Sequence, residues 1–188
     1  MCGIAGCVDF SSGRLPRNFD QAVNLLTHRG PDSQGSFTDH HVALGVRRLR
    51  VIDLTTGDQP IFNEDGSIAI VFNGEIYNYQ ALRKALIKTH RFATQSDTEV
   101  LVHLYEDFGI DMVSKLNGMF AFAIWDKRRQ TLLLARDRLG IKPLYYWHQD
   151  KKLIFASEVK AILALMPRRP AIDPQAVNAY TSLGYLPG

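Results

Sequence analysis

The residue with the most chemical promise in this sequence is its second. Cys2 follows Met1, and a small second residue permits the usual aminopeptidase to remove Met1, leaving Cys2 with a free α-amine. An α-amine titrates near ~7.7–8.0 and a thiol near ~8.5, so a nucleophile and a base of matched strength would share one residue. By itself a cysteine after methionine is more often incidental. Cys7 is the only other cysteine, and two are too few for a disulfide scaffold. Five positions apart on an extended strand, the two point to opposite faces, which argues against a bridge. C-x4-C lacks Cys or His partners at zinc-site spacing, and His28, His40, His41, His90, His103 and His148 show no H-E-x-x-H or similar pattern. There is also no G-x-G-x-x-G or G-x-x-x-x-G-K-[ST] run to cradle phosphate. Neither a metal nor a nucleotide cofactor is therefore expected within these residues.

The scaffold that must position Cys2 has 188 residues, 46% of them apolar and 22% charged. Such a composition excludes intrinsic disorder and fits one large soluble domain. Ten per cent aromatics can fill a core without disulfide or structural metal. The net charge of +3 arises from basic residues spread along the whole chain, unlike the clustered stripe of a nucleic-acid footprint. No apolar run approaches the ~18 residues of a membrane span, and no basic n-region precedes an apolar h-region. A soluble, untargeted, cytoplasmic chain is expected, with no nucleic-acid or membrane partner.

Periodicity predicts a strand over Gly3 to Asp9 and a helix from an Asn18 cap to about Thr27, followed by a His28-Arg29-Gly30-Pro31-Asp32 loop. Val42 to Val46 and Ile68 to Phe72 read as strands, and Asn78 is placed as the cap of a helix through about Lys88. Ser96-x-x-Glu99 has the form of a capping box before Val100, Leu101, Leu104 and Tyr105. Met119 to Trp125 and Leu132 to Ala135 are apolar at every position, so each is a strand buried on both faces. The Asp126-Lys127-Arg128-Arg129 connection is too short for a parallel crossover, so the two strands are antiparallel. Antiparallel strands buried on both faces require more than one sheet with helices outside, most simply a helix-sheet-sheet-helix stack. A second hairpin joins Leu144 to Trp147 with Leu153 to Ala156, and a helix runs from about Glu158 to Leu165. After the Pro167, Pro170 and Pro174 composition shift, Asp173 caps a last helix before Gly184.

Six blocks occur in order: Met1-Cys2-Gly3-Ile4-Ala5-Gly6, His28-Arg29-Gly30-Pro31-Asp32, Arg47-Arg48-Leu49, Phe72-Asn73-Gly74-Glu75-Ile76-Tyr77-Asn78, Ser96-Asp97-Thr98-Glu99, and Ala135-Arg136-Asp137-Arg138-Leu139-Gly140-Ile141-Lys142-Pro143-Leu144-Tyr145-Tyr146. Together they closely resemble the glutaminase domain of class II glutamine amidotransferases, in its asparagine-synthetase branch. The resemblance runs from Met1 to about Leu163 and weakly through Tyr180 to Gly188. It implies an α+β fold of N-terminal-nucleophile hydrolase type, a four-layer α-β-β-α sandwich of two antiparallel sheets. It also implies hydrolysis of the L-glutamine side-chain amide to glutamate and ammonia through a glutamyl thioester on Cys2, whose α-amine carries the proton.

By the same resemblance, Asn73 side-chain amide and Gly74 backbone N–H form the oxyanion hole. The alternative for that dipeptide is a hairpin turn, for which Asn-Gly is a strong signal. Arg48 would hold the substrate carboxylate, a task suited to a planar bidentate fork, or else belong to a solvated basic pair with Arg47. Val51 and Ile52 would line the same substrate site, with Glu75 and Asp97 receiving the substrate ammonium. Asp97 also suits the first helical position after Ser96, where the helix dipole keeps a carboxylate ionised. Asp137 and Arg138 read as structural. Two departures stand out: where family members usually read Gly-His-Arg-Arg-Leu-Ser, this chain has Gly45-Val46-Arg47-Arg48-Leu49-Arg50.

The expected organisation is a glutaminase domain over residues 1–165, then a linker and the start of a synthetase domain over 166–188. No Ser-Gly-Gly-x-Asp-Ser pyrophosphatase loop occurs, so the sequence reads as an excised piece of a longer protein. ATP and magnesium are expected only in that further domain, which would use the ammonia to make asparagine from aspartate. A homodimer is compatible with the resemblance. Two alternatives remain: the same glutaminase serving another amide-forming acceptor, and a non-catalytic glutaminase-like binding or regulatory module.

Overall fold

A computed structural model describes residues 1–187. Nine strands and five α-helices alternate as β1 (Gly3–Asp9), α1 (Phe19–Asn24), β2 (Ser33–Thr38), β3 (Val42–Arg48), β4 (Ile61–Phe62), β5 (Ile68–Ile76), α2 (Tyr79–Leu86), α3 (Asp97–Phe108), β6 (Gly118–Asp126), β7 (Thr131–Arg136), β8 (Tyr145–Gln149), β9 (Lys152–Ala156), α4 (Val159–Leu165) and α5 (Pro174–Leu183). They build two wholly antiparallel sheets, ordered β2-β3-β1-β9-β8 and β4-β5-β6-β7.

Strand alternation sorts the side chains into three apolar layers. Ala5 and Cys7 of β1 face α1 and α4, packing with Ala22, Val23, Leu26, Ile162 and Leu165. Ile4 and Val8 face the other way, meeting Val42, Leu44, Val71, Ala121, Ala123 and Trp125 between the sheets. Ile70, Phe72, Phe122 and Ile124 cover the far face of the second sheet, under Val100, Leu101 and Leu104 of α3 and Leu86 of α2. Helix, sheet, sheet, helix is the resulting order, as the doubly buried β6 requires. Each fully buried large apolar side chain contributes about 1.5–3 kcal/mol, and all three layers hold many.

Several local expectations change on contact with the tertiary structure. Asn73-Gly74 is no turn: β5 runs on to Ile76, with Asn73 opposite Ala121 and Gly74 opposite Phe120. Asn18 and Asn78 stand at the starts of α1 and α2, but neither caps its helix. Their amides are taken elsewhere, Asn18 donating to the Ala164 carbonyl and Asn78 bridging the Lys115 carbonyl and Asn117 N–H. The capping box is half formed. Ser96 Oγ accepts from Thr98 N–H at 3.1 Å, whereas Glu99 reaches back to the Ala93 and Thr94 N–H groups at 2.7 Å each. Strands β2 and β4 lie outside the predicted set. At the other end, Asp173 does cap α5 by accepting from Gln175 N–H, and Gly184 closes it in the left-handed region at φ 76°.

Candidate active site

β1 begins, and β3 and β5 end, on the same side of the sandwich, and between them lies a cavity of about 250 Å³. All eight residues named from the sequence line it: Cys2, Arg48, Val51, Ile52, Asn73, Gly74, Glu75 and Asp97. Its volume is below the ~300–1,000 Å³ of clefts for drug-sized ligands, which suits a compact molecule such as one amino acid.

Cys2 sits immediately before β1. Its carbonyl accepts from Arg29 Nε at 3.0 Å, so the loop after α1 fixes the backbone that carries the thiol. Leu49 brackets the sulfur, its N–H donating to Sγ at 3.4 Å and its carbonyl accepting from the thiol at 3.7 Å. Burial pushes the thiol pKa up despite that N–H and the neighbouring positive charges. A neutral thiol of this kind attacks only when a base takes its proton. Cys7 faces the helices, two strand positions past Ala5 on the same face, and burial raises its thiol to about 12. Both cysteines are free.

The β5 edge supplies donors. Residues 73 and 75 turn their main-chain groups towards β6, while 72, 74 and 76 turn theirs to the open side. There Phe72 N–H donates to Gln59 Oε1 at 2.7 Å and Ile76 N–H to Asp97 Oδ2 at 3.1 Å, leaving the Gly74 N–H between two occupied positions. Glycine is required at 74 because a Cβ there would strike the Met119 carbonyl of β6. Asn73 is 1% exposed and projects on the inter-sheet face, as Val71 does. Its Nδ2 is buried with no hydrogen-bond partner, which ordinarily costs about 1–3 kcal/mol. An unpaired buried donor and a main-chain N–H facing the open side of β5 thus line the cavity that holds the thiol, an arrangement able to donate to a ligand oxygen.

Arg48 ends β3 and is buried, so it is no solvated partner of Arg47. Its Nη1 donates to Asp58 Oδ1 at 2.7 Å, and its Nη2 to the carbonyls of Ile52 at 3.0 Å and Asp53 at 2.6 Å. Gly57 makes room for it, since a Cβ there would lie 2.7 Å from Nη2. The terminal nitrogens thus already bind protein acceptors, and an incoming carboxylate meets the remaining N–H groups or displaces Asp58. Ile52 contributes its carbonyl to this arrangement, and the Val51 side chain is exposed at the rim. Arg50 pairs with Asp58 at 3.1 Å, adding a second cation to the same carboxylate. Val46 is fully buried between the sheets, replacing a polar side chain by core.

Asp97 is the first residue of α3 and is 4% exposed. Burial raises its carboxyl to about 6, outweighing the N–H bonds from Ile76 and Thr98 and reinforced by the Glu75 charge. The helix dipole alone would have kept it low, so desolvation decides here. Asp137 is structural as read, its carboxylate accepting from the Phe120, Ile141 and Lys142 N–H groups. Sequence reasoning passed over Gln59, Thr98 and Lys142, which also line the cavity. Lys142 is buried and sits 3.2 Å from the Met1 sulfur. Its place in the last of the six ordered blocks was the signal available.

Comparison with known proteins places the chain in a family and a fold. A family model described as "Glutamine amidotransferase domain" matches residues 1–188. Asparagine synthetase [glutamine-hydrolyzing] 2 of Bacillus subtilis is 46% identical over 171 residues, covering 87% of this chain and 22% of its own length. Asparagine synthetase [glutamine-hydrolyzing] 3 of Arabidopsis thaliana is 48% identical over 166 residues, covering 86% of this chain and 28% of its own. The chain therefore spans roughly a quarter of the length of such relatives. Among solved structures, glutamine phosphoribosylpyrophosphate amidotransferase from B. subtilis superposes with a TM-score of 0.67 at 26% identity, over 87% of this chain and 43% of that one. An allosteric regulatory enzyme of purine biosynthesis shares the fold at a TM-score of 0.70 and 24% identity, over 87% of this chain and 43% of its own. With its whole described length matched by the family model and its two-sheet fold shared with a solved amidotransferase, the chain belongs to the glutamine amidotransferase domain family.

Proposed function

We propose that this chain hydrolyses L-glutamine to L-glutamate and ammonia with Cys2 as the nucleophile. The observation that carries the reading is the unpaired, buried Asn73 amide beside the open Gly74 N–H, in one cavity with the Cys2 thiol. Removal of Met1 exposes the α-amine of Cys2. The amine takes the thiol proton as sulfur attacks the amide carbon, and the oxyanion forms against Asn73 Nδ2 and Gly74 N–H. Collapse breaks the C–N bond, and the ammonium form of the amine returns its proton to the departing ammonia. Water, deprotonated by the same amine, then cleaves the thioester and restores the thiol.

Substrate recognition falls to the two ends of the cavity. Arg48 receives the α-carboxylate, and Asp97 with Glu75 receives the α-ammonium, with Val51 and Ile52 forming the rim between them. Steady-state glutamate release by Met1-processed protein tests the reading, and absence of turnover in a folded, processed sample would overturn it in favour of a non-catalytic binding module.

The ammonia would pass to an ATP-dependent synthetase domain over the length of the relatives that this chain does not span, making asparagine in the parent protein. ATP and magnesium would belong to that domain alone. Transfer of the amide nitrogen from isotopically labelled glutamine to aspartate by the full-length parent tests the acceptor. Label appearing in a different amide would keep the glutaminase and replace the acceptor.

A further inference from the structure

The cluster formed by Glu64, His90, His103 and Glu106 lies outside the cavity and has no part in the chemistry above. These four side chains come from three places: the turn between β4 and β5, the segment after α2, and the second half of α3. One ligand atom from each falls within 4.8 Å of all the others. His103 Nδ1 is 2.8 Å from Glu106 and 3.7 Å from Glu64, and His90 Nδ1 is 3.5 Å from Glu106 and 3.7 Å from Glu64. A tetrahedral zinc with ligand bonds of about 2.0–2.1 Å has ligand atoms about 3.3 Å apart, within the spread seen here.

The atoms behind the four ligands are arranged as metal sites require. His90 Nε2 is 3.0 Å from Asp107 Oδ1, and His103 Nε2 faces Glu99 Oε1 at 3.8 Å, so each imidazole has a carboxylate at its back. Without a cation His103 Nδ1 holds the 2.8 Å hydrogen bond to Glu106 Oε2; a cation on Nδ1 would take that lone pair and move the proton to Nε2, towards the carboxylate behind it. Glu106 Oε1 is held by Asn63 Nδ2 at 2.8 Å, which leaves its Oε2 between the two imidazoles; Glu64 Oε1, 3.7 Å from His90 Nδ1, accepts from Arg91 N–H at 2.9 Å, and its Oε2 lies 3.7 Å from His103 Nδ1. The His103 side chain is 1% exposed, and its Nε2 has no hydrogen-bond partner as it stands. With a cation on Nδ1, Nε2 carries a proton for Glu99, and the orphan is satisfied. Two carboxylates and two neutral imidazoles balance a divalent charge.

We propose that Glu64, His90, His103 and Glu106 bind one zinc-class divalent cation, closing a four-ligand structural site that ties the β4–β5 turn to α2 and α3. The donor set of two nitrogens and two oxygens suits zinc and its first-row neighbours better than calcium or magnesium. All four positions are filled by protein, so the site is structural and leaves no open position for a reacting water.

Chelator-stripped protein dialysed against zinc chloride should take up one zinc per chain, and its Tm should climb with zinc concentration, as for any ligand that binds only the folded state. Glu64→Gln and His90→Gln should each weaken uptake by about tenfold or more and abolish the Tm gain, while Cys2→Ala should leave both unchanged. Glu64 is the more exposed of the two, so its variant reports even where the His90 change unfolds the protein. Cobalt in place of zinc should give visible d–d bands with no thiolate charge-transfer band. Absence of saturable uptake, equal affinity in both variants, or a thiolate band placing the cation on a cysteine would each overturn the proposal.

Discussion

Cys2 and Cys7 are chemically alike in sequence and opposite in setting, because the extended chain entering β1 and β1 itself send them to different layers. Cys2→Ala should abolish glutamate release with the fold intact, whereas Cys7→Ser should keep turnover near wild type, both read by steady-state assay beside circular dichroism. Asn73→Ala removes one oxyanion donor, and a fall in kcat of about 10²–10³ is expected, equivalent to ~2.7–4 kcal/mol. Because the Asn73 amide is unpaired in the free protein, that loss should come without loss of Tm. Met1 is 56% exposed, lines the cavity and leans on Lys142, so its retention both blocks the amine and crowds the substrate. Activity across preparations should fall in proportion to the Met1-retained fraction measured by intact mass. Full activity in fully retained protein would remove the α-amine as base. At this scale much of the cavity was readable: all eight residues named from the sequence line it, whereas Gln59, Thr98 and Lys142 line it unannounced. The sequence did not reveal that Asp58 already occupies the Arg48 fork, nor that Glu64, His90 and His103 converge, because those meetings are long-range. His103-x-x-Glu106, spaced on one helical face, was the one local trace of the cation cluster.

The ends of elements do most of the positioning. Asp97 opens α3, and its raised carboxyl has consequences for both binding and folding. Its folded pKa of about 6 lies above the ordinary 3.8, so ionising it costs stability. The penalty is absent below about pH 4, grows as pH rises towards 6, and is complete at pH 7, on the order of 3 kcal/mol. Asp97→Asn should therefore raise Tm at pH 7–8, with the gain vanishing near pH 4, and should raise KM for glutamine. In wild type, kcat/KM should fall as pH drops through about 6, because the protonated carboxyl no longer pairs with the substrate ammonium. A wild-type profile flat through that range would remove Asp97 from ammonium binding. Elements with a strong apolar period were legible before the fold was known, β1, β6 and β9 above all. β2 was missed because its Ser33-Gln34-Gly35-Ser36-Phe37-Thr38 alternates in burial with one large apolar residue, and β4 because two residues carry no period. The turn preference of Asn73-Gly74 is overridden by a nine-residue ladder against β6. The capping preferences of Asn18 and Asn78 lose to partners far along the chain.

As a whole, the molecule is a sandwich followed by a tail whose helix buries no residue. The two sheets and the helices on either side share three continuous apolar layers, and α4 closes one of them with Ala161, Ile162 and Leu165 buried. Beyond it the pattern changes: no residue of α5 is buried, and Val177, Tyr180 and Leu183 are about half exposed. A buried large apolar side chain contributes about 1.5–3 kcal/mol, and α5 buries none, so its loss removes almost nothing from the free energy of folding. We propose that the folded glutaminase unit ends near residue 165, where Pro167, Pro170 and Pro174 shift the composition and the following helix buries nothing. Deleting residues 168–188 should therefore leave glutamate release near that of the intact chain and lower stability by about 1 kcal/mol or less, a Tm change of roughly 2–4 °C at this size. Extending the deletion to residue 159 should unfold the protein, because the faces of Ala5, Ala156 and Leu26 that α4 covers would be opened to water. Thermal melts and glutaminase assays on the two truncations separate these outcomes. If the shorter deletion alone collapsed the melt, the folded unit would have to reach into α5, and the division at residue 165 would be wrong.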